Sequence, residues 1–373
     1  MSEAAKSLTL FLAGDVMLGR GIDQVLPHPS HPALHEPYLT DARGYVALAE
    51  RANGPLPRKA GFSYVWGEAL DELERMAPDF RIINLETSIT ESEDYCQGKD
   101  IHYRMNPKNI GCLRAAGIDF CSLANNHILD WGCAGHLETL ETLKKAGVKS
   151  SGAGRNIEEA SAPAVLEAKD KRRVILFSFG AGSSGIPSNW AASRDKPGVN
   201  RLEALSERAV QAIAEKVRGV NQTGIVLVSL HWGSNWGYGI SREEREFAHG
   251  LIDYAGVDLI HGHSSHHVKG LEVYKGKLVL YGCGDFLNDY EGIGGYEVFR
   301  GDLGLMYFAS LDPVTEKLNS LSMIPTQIKR FRVNRASRGD ALWLRETLNR
   351  ESREFGAYVE SGDNNVLRLG WSQ

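Results

Sequence analysis

At 373 residues the chain is long enough for a large core, and its 42% hydrophobic, 24% charged and 9% aromatic residues exclude a disordered, collagen-like or repeat-only protein. A formal net charge of −5 offers no basic field for a phosphate backbone, so nucleic acid is not an expected partner. Small-molecule or anionic polymer substrates stay open where a local cation attracts them.

No run approaches the roughly 20 apolar residues of a membrane span. The first apolar run, Leu8–Ala13, is cut by Gly14 and Asp15 and is too short for a signal-peptide core. Cys96, Cys112, Cys121, Cys133 and Cys283 form no CxxC pair and read as free thiols, so the expected setting is cytoplasmic.

In chain order, short apolar runs alternate with segments of helical spacing. Strand Leu8–Ala13 is followed by a Pro-, Gly- and His-rich stretch, 26–61, read as an inserted loop or lid. Helix Val65–Met76, strand Phe80–Leu85, helix Asn109–Ala116, strand Asp119–Leu123 and helix His136–Ala146 come next. Strand Val174–Phe179, helix Leu202–Val217, strand Ile225–Leu230, helix Glu243–Ala255 and strands Asp258–Ile260 and Lys277–Tyr281 continue the pattern. The alternation predicts an α/β fold, and by pattern alone a doubly wound sheet. Leu303–Leu311 and Lys317–Met323 read as a hairpin and Ala341–Phe355 as a charged terminal helix. The expected organisation is one domain over 1–330 and a C-terminal helical extension over 331–373.

Ligands of open α/β sheets gather beyond the carboxyl ends of the strands. Those ends carry metal-ligand residue types: Asp15 in GDVMLGR, Asn84 and Glu86 in NLETSIT, and Asn125, Asn126, His127 and Asp130 in ANNHILDWG. The later ends add His231 in SLHWGSNW and His261, His263, His266 and His267 in IHGHSSHH. A lone strand-end Asp caps the next helix more often than it binds metal, and a lone His is commonly a hydrogen-bonded core residue. Five successive strand ends bearing donors are hard to obtain that way. Mixed oxygen and nitrogen donors without cysteine suit a divalent transition metal, Mn, Fe or Zn, as one or two ions, and a hydrolytic site that holds a hydroxide at neutral pH.

Gly180, Gly182 and Gly185 spell GxGxxG after a strand, but Ile186, Pro187 and Ser188 follow in place of a helix, which argues against a dinucleotide site. Trp131, Trp232 and Trp236 flank the candidate ligands and read either as a stacking surface or as packing.

The ordered motifs GDVMLGR, NLETSIT, ANNHILDWG, HWGSNW, GHSSHH and YGCGDFLNDY, from Leu8 to Tyr290, resemble the CapA family of poly-γ-glutamate capsule synthesis. The resemblance implies the calcineurin-like metallophosphoesterase fold, a four-layer α/β/β/α sandwich, in place of a doubly wound sheet. It implies metal ligands at Asp15, Glu86, Asn126, His231, His263 and His266, with His127 as general acid. Three departures stand out: Met17 occupies the position of a histidine ligand, Ile128 follows His127 where an acid is usual, and the last motif reads GHxxH. Asp130 is the candidate partner of His127 if the loop folds back. Asp285, Asn288, Asp289 and Glu291, within Cys283–Ile293, are candidates for substrate choice. The implied function is a metal-dependent hydrolase or phosphoesterase in which a metal-bound hydroxide attacks and His127 protonates the leaving group. The alternative is a non-catalytic accessory or binding component of poly-γ-glutamate capsule synthesis.

Overall fold

The computed structural model describes residues 7–220 and 223–372, a mixed α/β structure with two large sheets. The first strand extends over Leu8–Val16 and pairs in parallel with Phe80–Leu85, which leads to Phe120–Ser122 and Lys149–Ser151. On its other side it pairs antiparallel with Leu303–Leu311, which pairs in turn antiparallel with Leu318–Ile328. The second sheet runs in parallel from Arg173–Ala181 through Ile225–His231 and Leu259–His263 to Lys277–Leu280. The central strands read as continuous apolar runs because both of their faces are covered.

Alternation along each strand sorts its residues into different cores. Leu10, Leu12 and Ile82 of the first sheet share a buried cluster with Leu176, Leu227 and Leu259 of the second. Phe11, Ala13 and Ile83 point the other way and pack with the helices Arg43–Asn53, Ala69–Met76 and Gly132–Ala146. Ile175, Val228 and Ile260, on the far face of the second sheet, pack with Glu207–Gly219 and Arg242–Ala255. Each such leucine, isoleucine, valine or phenylalanine contributes roughly 1.5–3 kcal/mol on full burial.

Two segments differ from the sequence reading. The 26–61 stretch carries the helix Arg43–Asn53, whose Tyr45, Val46 and Ala49 are buried. The 331–373 extension holds the helix Arg338–Ser352 but also the antiparallel strands Ala357–Ser361 and Leu367–Trp371, and the latter lengthens the first sheet beside Leu318–Ile328. Ala357, Val359, Leu367 and Leu369 alternate into the inter-sheet core, a period of two that marks strand and not helix. Among the described residues no helix is long and apolar enough to cross a membrane.

Candidate metal centre

Parallel pairing brings the strand ends together. Register sets Asp15 beside Asn84 in the first sheet and His231 beside His263 in the second. The short strand Asp285–Leu287 adds a further parallel partner, Asp285 opposite Asp15. That approach requires glycine at position 14: a Cβ there would lie 1.9 Å from the carbonyl oxygen of Gly284.

Two overlapping donor groups result, Asp15 with His231 and His263, and Asp15 with His266 and Asp285, each with ligand atoms within 4.8 Å of one another. His231 Nδ1 and His263 Nδ1 are 2.8 Å apart, and His231 Nε2 lies 3.0 Å from Asn126 Oδ1. Glu86 Oε1 stands 3.9 Å from His231 Nε2 and 3.6 Å from His127 Nε2. The surrounding bonds fix these side chains. Asn84 Nδ2 donates to Asp15 Oδ1 at 2.7 Å, and Asn125 Nδ2 donates to Asn84 Oδ1 at 3.1 Å. Ser264, at φ +103°, turns its N–H onto Asp15 Oδ2 at 3.2 Å. Such a backbone angle is costly for a residue with a Cβ and is characteristic of functional sites.

His127 Nδ1 lies 2.7 Å from Asp130 Oδ2, so its Nε2 turns toward Glu86. Asp130 Oδ2 also accepts the Tyr103 N–H at 2.7 Å. Lys99 Nζ donates to the Asn126 carbonyl at 2.6 Å, lies 2.9 Å from His127 Nδ1 and pairs with Asp130 Oδ1. Burial works against the ionised carboxylate, yet His127 and Lys99 hold Asp130 below its usual range.

The electrostatics suit a cation. Burial, reinforced by Asp285, pushes the Asp15 carboxyl up to about 7, and burial with Asp15 beside it pushes Glu86 well above its ordinary value. Burial also holds the imidazoles of His231 and His263 well below theirs. Against burial, Asp285 and Asp15 raise His266. Buried carboxylates crowded against neutral imidazoles are the donor chemistry that a divalent transition metal satisfies.

A family model described as bacterial capsule synthesis protein PGA_cap matches residues 9–290. The chain belongs to the PGA_cap family. It is 48% identical over 368 residues to the "Probable polyglutamine synthesis accessory protein" of Mycobacterium tuberculosis (strain H37Rv), covering 97% of this chain and 96% of that one. It is 29% identical over 283 residues to "PGA biosynthesis protein CapA" of Bacillus subtilis, covering 76% of this chain and 63% of the relative. With "Capsule biosynthesis protein CapA" of Bacillus anthracis the identity is 23% over 289 residues, 76% and 60% of the two chains.

In this PGA_cap chain Asp15, Glu86, Asn126, His127, Asp130, His231, His263 and His266 all adjoin one cluster, within the residues the family model matches. His261 and His267 stand outside it. His261 spans the sheets, with Nε2 2.8 Å from the Ala13 carbonyl oxygen, and His267 Nε2 accepts the Gly237 N–H at 3.1 Å. Trp131 and Trp232 are buried packing residues whose indole N–H groups donate to Tyr103 and Tyr281 carbonyls, whereas Trp236 stacks on Tyr296 and approaches His266. Gly182–Ser184 is a single 3-10 turn, not the start of a helix. Asp285 and Lys99 were not among the expected ligands and catalytic residues. Asp285 had a signal in its acidic position after the Lys277–Tyr281 run; Lys99 lies in a loop without one.

Proposed function

We propose that this PGA_cap chain is a metal-dependent hydrolase of calcineurin-like metallophosphoesterase type, a four-layer α/β/β/α sandwich acting on a small or anionic polymer substrate in poly-γ-glutamate capsule synthesis or processing. The observation that carries this reading is the shared carboxylate: Asp15 belongs to both donor groups. Asp15, Glu86, Asn126, His231 and His263 would hold one ion, and Asp15, His266 and Asp285 a second, with Asp285 compensating for Met17. A bound Mn, Fe or Zn supplies Lewis-acid activation of water and of the scissile group's oxygen.

The chain's own residues divide the remaining work. His127, fixed through Nδ1 by Asp130, presents Nε2 to the cluster and passes a proton to the leaving group. Lys99 ties the Asn126 backbone to Asp130, which keeps the amide and the imidazole of one turn aimed at different tasks. We assign this unit to residues 1–330, with 331–373 as its extension, and a reducing, cytoplasmic setting in keeping with five free cysteines.

The M. tuberculosis relative is named an accessory protein, which favours a second reading: a binding component that retains the fold without turnover. Metal analysis of protein purified without added metal, with an activity screen across Mn, Zn, Mg and Fe on a phosphomonoester, a phosphodiester and a γ-glutamyl amide, separates the two. Bound transition metal with turnover is expected. Metal without turnover on any substrate supports the accessory reading, and protein that takes up no metal after reconstitution overturns the metal centre.

A further inference from the structure

A cavity of about 730 Å³ lies against the turns that follow Arg173–Ala181 and Ile225–His231, and none of the candidate metal ligands lines it. Its walls include Gly182, Ser183, Gly233, Ser234, Glu244 and Lys269. Lys269 is only 3% exposed, and its Nζ has neither a hydrogen-bond partner nor an ion pair among the described residues. Most of the side chain is covered, while Nζ at its tip is not among the sealed polar atoms and opens into the cavity. Burial pushes this amine below the ordinary lysine range, against the pull of Glu244 and Glu351.

Glu244, also buried, spends Oε2 on the N–H of Ser241 in a capping box at the start of Arg242–Ala255 and leaves Oε1 without a donor among the described residues. Glu244 Oε1 and Lys269 Nζ lie 2.6 and 3.9 Å from the point where a Cβ on Gly233 would sit, yet they form no ion pair with each other. The space between them exists because position 233, at φ +76°, is glycine. Ser183 Oγ, accepting the Gly233 N–H at 3.1 Å, holds that turn in place. The tips of a largely buried lysine and a largely buried glutamate thus face one gap, each without a partner there among the described residues. At the mouth, Glu203 and Glu243 are exposed and disfavour a multiply charged anion such as phosphate.

We propose that this cavity is a binding site, separate from the metal centre, for a small amino-acid-like zwitterion whose carboxylate pairs with Lys269 and whose ammonium pairs with Glu244. The site does not depend on the metal or on hydrolysis.

Calorimetric titration of the full chain with glycine, L-glutamate, acetate, methylamine and inorganic phosphate tests it. Saturable binding of at least one amino acid is expected, with acetate, methylamine and phosphate weaker by about tenfold or more, since each satisfies only one charge. Lys269→Met should weaken amino-acid binding by about tenfold or more, and chelating the metal should leave it unchanged. A parallel measurement needs no variant: the bound amino acid should protect Lys269 of the parent protein from acetic anhydride, read by mass spectrometry. Absence of amino-acid binding, equal binding by acetate, equal binding by a folded Lys269→Met, or no protection of Lys269 would overturn the proposal.

Discussion

Asp285 stands directly opposite Asp15, because the three-residue strand that begins with it pairs in parallel with the end of Leu8–Val16. Two buried carboxylates at one register position repel each other unless a cation or a proton lies between them, and Asp285 adds to the cost of ionising Asp15. Asp285→Asn is therefore expected to lower transition-metal content without abolishing it, while Asp15→Asn, which touches both donor groups, removes metal altogether. Elemental analysis by mass spectrometry checks both variants. Full occupancy in Asp285→Asn would exclude Asp285 as a ligand.

His127 and Asp130 should act as a unit. His127→Asn is expected to retain metal yet slow hydrolysis of substrates with poor leaving groups by about 10²–10⁴-fold, the usual span of general-acid catalysis. Substrates whose leaving group departs without a proton should suffer less. The comparison of the two substrate types is the measurement, and equal loss on both together with loss of metal would make His127 a ligand.

Arg20 is buried and pairs with Asp289 at 2.5 Å and Glu36 at 3.2 Å, with Tyr45 and Tyr103 rings 3.9 and 4.5 Å from its guanidinium carbon. Asp289 Oδ2 also accepts the Gly21 N–H at 2.9 Å. Removing one member of such a group leaves charge buried without compensation, so Asp289→Ala should cost about 3–5 kcal/mol of stability. Urea unfolding followed by circular dichroism gives the figure, and a loss below about 1 kcal/mol, the scale of an exposed pair, would contradict this account.

Acid stability carries a separate signature at His136, on the helix Gly132–Ala146. Its Nε2 lies 3.0 Å from the Gly154 carbonyl oxygen, and its buried Nδ1 has no partner, so a second proton would be stranded. Burial holds this imidazole below its ordinary 6.5. Below that pH the unfolded chain binds the proton that the folded chain refuses, so the contribution present at neutral pH is lost as pH falls. His136→Gln, which keeps a side-chain N–H for Gly154, should flatten the decline of Tm between about pH 7 and 5, the range in which histidine titrates. An unchanged slope would show that His136 is not a source of the acid sensitivity.

The sequence was most legible where a strand is covered on both faces. Phe80–Leu85 matches its expected limits, and Ile225–His231 exceeds its expected reach by one residue, because a continuous apolar run leaves little choice of boundary. The candidate donors drew notice for a related reason, since Asp15 and His231 are the first polar groups at or after the close of such runs, while Glu86, Asn126, His263 and His266 follow within a few residues of theirs. Asp285 was harder to assign: its strand is three residues long and is stabilised by a partner some 270 positions away, which no local period encodes. Lys99 was invisible because a loop lysine looks alike whether it faces water or, as here, is 18% exposed against Asp130. The extension's strands failed through competition, the strong helical segment Arg338–Ser352 drawing the reading of the short alternating stretches after it.

The donors are divided between the sheets, Asp15 and Asp285 on one and His231 and His263 on the other, so the apolar layer of Leu10, Leu12, Leu176 and Leu227 is also a spacer. Its thickness sets how far apart the two halves of the centre are held. In the proposed metal centre a leucine in that layer would thereby tune metal affinity without being one of the donors. Volume-conserving exchanges there should be nearly silent, whereas a truncation that lets the sheets settle closer would detune the centre before it unfolds the chain.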